Sequence, residues 1–210
     1  MDRSDIPATA GHELTGVYGL EIRTLTAAIN GGILPKTTST AKFVESAVRN
    51  EKITAPVLIM KGDGGVTDMS TFRSKPIVTV LSGPAASVAG ALLHLRVIDG
   101  VFIEVGGTST NVCAIKDGKP EVRYVTIMQH PTCIRSLDVR VAGVAGGSLV
   151  RWSGRKITDV GPRSAHIAGL PYSCFASSEE LENGQIITFK PKEGDPIDYI
   201  AIESAGGRRF

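Results

Sequence analysis

Residues 102–119 read FIEVGGTSTNVCAIKDGK, and this stretch concentrates the side chains best suited to chemistry. Gly106 and Gly107 let backbone N–H groups approach a ligand with no Cβ in the way, and consecutive N–H groups in a turn form a concave anion site. Thr108, Ser109 and Thr110 add hydroxyl donors for phosphate oxygens or a metal-bound water. Glu104, at the strand end before the glycines, can hold a divalent cation through water or orient a nucleophile. The set suits a polyphosphate better than a neutral ligand. The same residues would also make a plain hairpin tip, so the stretch by itself leaves both readings open.

Other candidates are fewer. Gly143, Gly146, Gly147 and Ser148 form a second glycine-rich bend, and Asp138 stands just before the strand that leads into it, where a carboxylate can simply be satisfied by backbone N–H groups. Lys61 to Gly65, KGDGG, reads as a ligand-facing loop or, more simply, as an Asp-Gly turn. His12, His130 and His166 lie in segments that read as loops. Cys113, Cys133 and Cys174 are too far apart for a structural zinc motif, and no neighbouring His suggests a nucleophile. Cys113, on a strand, is expected to pack in the core. Trp152 is assigned to core or interface.

These residues need elements to hold them. Apolar spacing predicts a short helix around residues 22–34, stopped by Gly31, Gly32 and Pro35, and a second over STAKFVESAVRNEKI with Ser39 or Thr40 as its cap. APVLIM and KPIVTVL read as strands, and SGPAASVAGALLHL as a helix with Pro84 in its first turn and a face of small side chains. GVFIEV and STNVCAIK read as strands, Asp117-Gly118 as a two-residue hairpin turn, and EVRYVTI as the next strand. A loop is expected around His130, Pro131 and Cys133. LDVRVAGVAGGSLVRW reads as strand, bend, strand, residues 153–177 as loop-rich, and GQIITFK and DYIAIES as closing strands. Near residue 98 the pattern changes from alternating strands and helices to strand and turn, which sets a subdomain boundary there.

Composition bounds the function. The chain has 210 residues, 42% hydrophobic and 21% charged, enough for one good core or two modest ones. With 23 basic and 21 acidic side chains and no run of Lys or Arg, a nucleic-acid partner is not expected. Asp2, Arg3 and Asp5 follow Met1 without a basic-then-apolar leader, and no long apolar run suggests a membrane span. Three scattered cysteines fit a reducing compartment, so a cytoplasmic location is expected.

The helix GPAASVAGALLH followed by VFIEVGGTSTNV resembles the paired segments of the actin-like ATPase superfamily. RTLTAAINGGILPK, APVLIMKGDGGV, KPIVTVLSGPAASVAGA, EVGGTSTNV, SLDVRVAGVAGGSLVRW and VGPRSAHIAGLPYSCF stand in the order seen in the hydantoinase A/5-oxoprolinase family, over nearly the whole chain from about residue 11. The resemblance implies an α/β, ribonuclease H-like fold of actin-like type, partial, with residues 1–98 as the end of one lobe, including the interlobe helix at 84–90, and residues 99–210 as the start of the next. It implies ATP and Mg²⁺ as cofactors, with Gly106, Gly107, Thr108, Ser109, Thr110 and Asn111 of the phosphate loop, and Gly146 and Gly147 of the second bend, as the cofactor-binding residues. Glu104 is the implied metal residue, and Glu104 and Asp138 are the implied catalytic residues.

The activity so implied is phosphorylation and hydrolysis of a small cyclic amide, a hydantoin- or oxoproline-like ring, with a second hydantoinase B-type subunit or domain as partner. An ATP-dependent ketone carboxylase subunit of the same family, or a non-catalytic subunit acting by partner binding, are the alternatives. His12 matches a His-Glu pair of the family. The chain departs from the family's pattern at Asn111, where an acidic residue is frequent, at Glu104, where Asp is common, and in VAGVAGGS, which is one glycine poorer. No counterpart of the first phosphate loop stands near the start, so the sequence is expected to be the middle of a longer protein, and by itself not to turn over ATP.

Overall fold

The computed structural model describes residues 8–210, so the charged lead-in at Asp2, Arg3 and Asp5 lies outside the described residues. By internal contacts the chain divides into two units. One holds the residues up to Phe102 together with Cys113–Val139, and the other Ile103–Val112 with Arg140–Phe210.

In the first unit a short helix α1, Gly11–Leu14, precedes α2, Leu20–Asn50, a single helix of 31 residues. The two helices expected from the glycines and proline are therefore one. Pro35 removes the N–H that would reach the Gly31 carbonyl, and one turn on, the Thr37 hydroxyl donates to the Ile33 and Leu34 carbonyls at 3.0 and 3.1 Å. Tertiary ties do more: Thr26, Asn30 and Ala41 are fully buried, and the Asn30 amide donates to Thr9 and to the Ser74 carbonyl while accepting from the Ile77 N–H. Thr40, an expected cap, instead donates to the Lys36 carbonyl from mid-helix.

Strands β1, Leu58–Met60, and β2, Val66–Asp68, pair across the KGDGG turn, where Asp63 accepts from the Gly65 N–H at 2.9 Å. Helix α3, Met69–Ser74, is capped by the Asp68 carboxylate accepting from Thr71 N–H at 2.7 Å. The strand expected in KPIVTVL is a 3₁₀ turn, Pro76–Thr79. Proline at its start removes one donor, and Asn30 takes the Ile77 N–H that a ladder would need. Helix α4, Ser82–Leu95, carries Pro84 in its first turn and buries Ala85 and Val88 against Cys113, Leu137 and Val139.

Strand β3, Gly100–Val105, and strand β4, Thr110–Lys116, flank the glycine hairpin; β4 turns at Asp117-Gly118 into β5, Lys119–Pro120. Strand β6, Val122–Ile127, pairs antiparallel with β7, His130–Leu137. His130, Pro131 and Cys133 thus lie in a strand and not in the expected loop. The turn between the strands is made by Met128 and Gln129, both at positive φ, in place of the Asn-Gly signal such turns usually carry. Ile77, Val125 and Ile134 form the core here, with Ile29 and Ile33 of α2 packed on it.

In the second unit, β9, Ser148–Trp152, follows the bend after β8, Val139–Ala142. It sits in an antiparallel sheet with β10, Ile157–Ser164, β11, Gln185–Phe189, and β12, Tyr199–Glu203, in the order β10-β9-β12-β11. Strand β10 and the short helix α5, Ala165–Ala168, occupy the stretch that reads as loop, and α6, Ser178–Glu182, follows it. Most of β10 is exposed, so it lacks the apolar alternation that would reveal it. Leu149, Ala165 and Tyr199 form this unit's core.

Candidate functional site

The hairpin between β3 and β4 is closed by the Gly106 N–H donating to the Ser109 carbonyl at 3.0 Å, which leaves residues 106–109 as its tip. The tip is stitched to the glycine bend. Gly146 N–H donates to Gly106 O at 3.1 Å, Gly147 N–H to Gly107 O at 2.9 Å, and the Thr110 hydroxyl to Val144 O at 2.6 Å. The bend is braced in turn, with Ala145 N–H on the Ser148 hydroxyl at 2.8 Å and Ala165 N–H on Gly147 O at 2.8 Å.

These bonds sort the donors. Gly146 and Gly147 spend their N–H groups on the hairpin's carbonyls, and Thr110 spends its hydroxyl on the bend, so these three residues build the site's frame. The N–H groups of Gly107 and Thr108 and the hydroxyls of Thr108 and Ser109 take no partner among the described residues. With Thr108 exposed, they remain available to an anion.

Glu104, half-buried on β3, accepts from the Asn111 side-chain amide at 2.8 Å. Asn111 is 8% exposed, and its Oδ1 has no hydrogen-bond partner among the described residues. A single carboxylate with one oxygen engaged fits Mg²⁺ held chiefly by water and phosphate oxygens, the usual mode for that ion. Among the described residues no group of three His, Cys, Asp or Glu side chains forms a metal cage. The phosphate group of a nucleotide fits the open donors of the tip.

Asp138 belongs to the first unit, where its carboxylate pairs with the Arg123 guanidinium at 2.9 Å and its N–H donates to the Glu121 carbonyl at 2.8 Å. His12 lies exposed in α1, and His166 is exposed in α5. Cys113 and Cys133 are buried and Cys174 is exposed. Burial, helped by the nearby charges of Asp138 and Glu121, pushes the Cys113 thiol above its ordinary value.

The structure adds a residue that sequence reasoning missed. A Cβ at Gly107 would stand 2.9 Å from the Tyr172 hydroxyl, and one at Gly147 would stand 2.5 Å from its ring, so Tyr172 lies across both glycines. Beside it is a cavity of about 260 Å³ lined by Gly146, Gly147, Leu149, Tyr172, Ile200 and Ile202 among others, with no charged side chain in its wall. Nothing in a lone tyrosine within a loop-like stretch signals this placement.

Comparison with known proteins gives a consistent result. The family model described as hydantoinase/oxoprolinase matches residues 23–187. The chain is 30% identical over 169 residues to 5-oxoprolinase 1 of Arabidopsis thaliana, covering 71% of this chain and 13% of that protein. It is 23% identical over 165 residues to the caprolactamase subunit alpha of Pseudomonas jessenii, covering 77% of this chain and 24% of the relative. Among solved structures, nucleotide-free acetone carboxylase superposes with a TM-score of 0.65 at 22% identity, over 74% of this chain and 22% of that one. The fold is thus a partial α/β fold of actin-like ATPase type. The chain spans about a quarter or less of the length of these relatives.

Proposed function

The chain belongs to the hydantoinase/oxoprolinase family, and from that premise we propose that it forms the phosphate-binding part of an ATP-dependent enzyme that opens a small cyclic amide. The observation that carries the proposal is the hairpin tip, whose Gly107 and Thr108 N–H groups and Thr108 and Ser109 hydroxyls stand open on a frame rigidly bonded to the second glycine bend.

In this reading the tip binds the phosphates of ATP, and its fixed dipoles stabilise negative charge that grows during phosphoryl transfer. Glu104, oriented by Asn111, would hold a Mg²⁺ ion, which would supply positive charge beside the phosphates. ATP would supply a phosphoryl group to the amide oxygen, which makes the amide carbon electrophilic: water adds there, the protonated ring nitrogen leaves as the C–N bond breaks, and a second water hydrolyses the resulting acyl phosphate to carboxylate and phosphate. Gly146, Gly147 and Thr110 hold the tip in shape and do not contact the ligand through their bonded groups. Asp138, in the first unit, is proposed as a catalytic carboxylate, its charge paired with Arg123.

The names of two relatives support the choice of a cyclic amide, since 5-oxoprolinase and caprolactamase both act on such rings. The description of the caprolactamase relative as a subunit alpha supports a second, hydantoinase B-type subunit as partner. The lobe assignment is part of the same proposal, with residues 1–98 ending one lobe and 99–210 beginning the next. Among the described residues no helix is long and apolar enough to cross a membrane, and a cytoplasmic enzyme is proposed.

The test has two stages. ATP with Mg²⁺ is titrated into the protein by calorimetry beside a variant carrying Thr108→Ala and Ser109→Ala, which removes two donors without touching the frame. A loss of about tenfold or more in affinity is expected, the scale of one or two hydrogen bonds to a charged group; unchanged affinity rules out the two hydroxyls as ligand donors, and a parent protein that binds no nucleotide rules out the tip. Phosphate release by the full-length protein is then followed with hydantoin, 5-oxoproline or caprolactam, and a rate that none of them raises counts against the cyclic-amide reading.

A further inference from the structure

Tyr172 is placed with more constraint than a space-filling side chain needs. Its ring packs against the core of Leu149, Ala165 and Tyr199 and stands 6.1 Å from the Phe175 ring at 45°. Its carbonyl accepts from Phe175 N–H at 3.1 Å, which closes the turn that carries it. So anchored, the ring lies on Gly147 and the hydroxyl reaches Gly107, two contacts that only glycine at those positions permits.

The hydroxyl has no protein partner to explain it. The Gly107 carbonyl already accepts from Gly147 N–H, and Tyr172 Oη makes no hydrogen bond to any described residue. A phenylalanine would fill the same volume. Instead a phenolic donor stands at the tip beside the open N–H groups of Gly107 and Thr108. The other side of Tyr172 borders the uncharged cavity of about 260 Å³.

We propose that Tyr172 is a ligand-contacting residue, its hydroxyl donating to an oxygen of the phosphoryl group seated on residues 106–109 while its ring walls the cavity that receives an uncharged, apolar part of a ligand. The class of ligand is a phosphoryl anion lying against an uncharged organic body. This rests on the reading of the hairpin tip as a phosphate site, and the experiment separates the two.

Inorganic tripolyphosphate is titrated into the protein and into its Tyr172→Phe variant by calorimetry, with thermal unfolding of both as a check on folding. The ring is kept in Tyr172→Phe, so an unchanged melting temperature is expected together with tripolyphosphate affinity weaker by about tenfold. In parallel, the Tyr172 ring-carbon NMR signal of the unmutated protein is followed as tripolyphosphate is added. A bound anion beside the hydroxyl is expected to shift that signal. Affinity equal in both proteins, or a Tyr172 ring signal that tripolyphosphate does not move, overturns the role of Tyr172 and leaves the hairpin reading standing. Failure of the unmutated protein to bind tripolyphosphate overturns the hairpin reading, and the proposal with it.

Discussion

Glu104 and Asn111 face each other across the hairpin, with the Asn111 amide donating to a Glu104 carboxylate oxygen at 2.8 Å and the Asn111 carbonyl oxygen buried without a partner. The pair joins one carboxylate to one neutral amide, so a single negative charge stands at the base of the hairpin tip. Asn111→Asp tests what that charge is for. Two like charges this close repel each other, so the variant is expected to be less stable than the parent when both carboxylates are ionised. Unfolding at pH 8 should show a loss of about 1–3 kcal/mol that millimolar Mg²⁺ restores. A loss that Mg²⁺ leaves unchanged argues against Glu104 as a metal residue.

Gly147 is fixed by what surrounds it. A Cβ there would stand 2.5 Å from Tyr172 Cε1, 2.7 Å from Tyr172 Cζ and 2.7 Å from the Gly107 carbonyl oxygen. Gly147→Ala is therefore expected to cost about 1–3 kcal/mol through overpacking. Tyr172→Ala removes the two ring contacts, so the double variant should lose less than the sum of the single losses. Strict additivity in urea unfolding would mean that the ring does not press on the bend.

The parts of this site that sequence reveals are those with local signatures. Gly106, Gly107 and the three hydroxyl residues announce a turn with donors, and Asp117-Gly118 announces the next turn, because each is set by its own backbone preferences. Tyr172 announces nothing, since its meaning comes from Gly107 and Gly147, which are distant in sequence. The same contrast runs through the fold. β7 is hidden because Met128 and Gln129 adopt positive φ without the usual turn residues, and α2 is continuous because burial of Thr26 and Asn30 outweighs what Gly31, Gly32 and Pro35 prefer locally.

Asn30 carries much of that tertiary constraint. From the fully buried middle of α2 it donates to the Thr9 hydroxyl at 2.9 Å and the Ser74 carbonyl at 3.0 Å, and accepts from Ile77 N–H at 3.1 Å. Asn30→Ala strips two backbone groups of their partner inside the protein, and the expected destabilisation is about 2–4 kcal/mol. Asn30→Leu, which adds bulk but no donors, should be no better. A loss below about 1 kcal/mol in urea unfolding of Asn30→Ala would show that water or a neighbour takes over these bonds.

Acid should weaken the second unit through two arginine-bound carboxylates. Hydrogen bonding to the Arg163 guanidinium holds Asp195 below its ordinary value of 3.8, and hydrogen bonding to Arg151 does the same for Asp198. Arg151 is the more embedded of the two pairs' cations, meeting Asp198 through two bonds of 2.9 and 2.8 Å and lying over the Tyr199 ring at 5.8 Å. A carboxylate whose pKa is lowered by folding contributes stability that is fully present above the unfolded value and is lost as pH falls through the folded one. Thermal stability is therefore expected to be level from pH 8 down to about 5 and to decline below about 4. Asp195→Asn and Asp198→Asn each remove one source of that decline, so each should lower stability at pH 7 and flatten the curve below pH 4. An acid limb as steep in the double variant as in the parent would assign the loss to other carboxylates, with Asp63 and Asp68 of the first unit, also held low, next to be replaced.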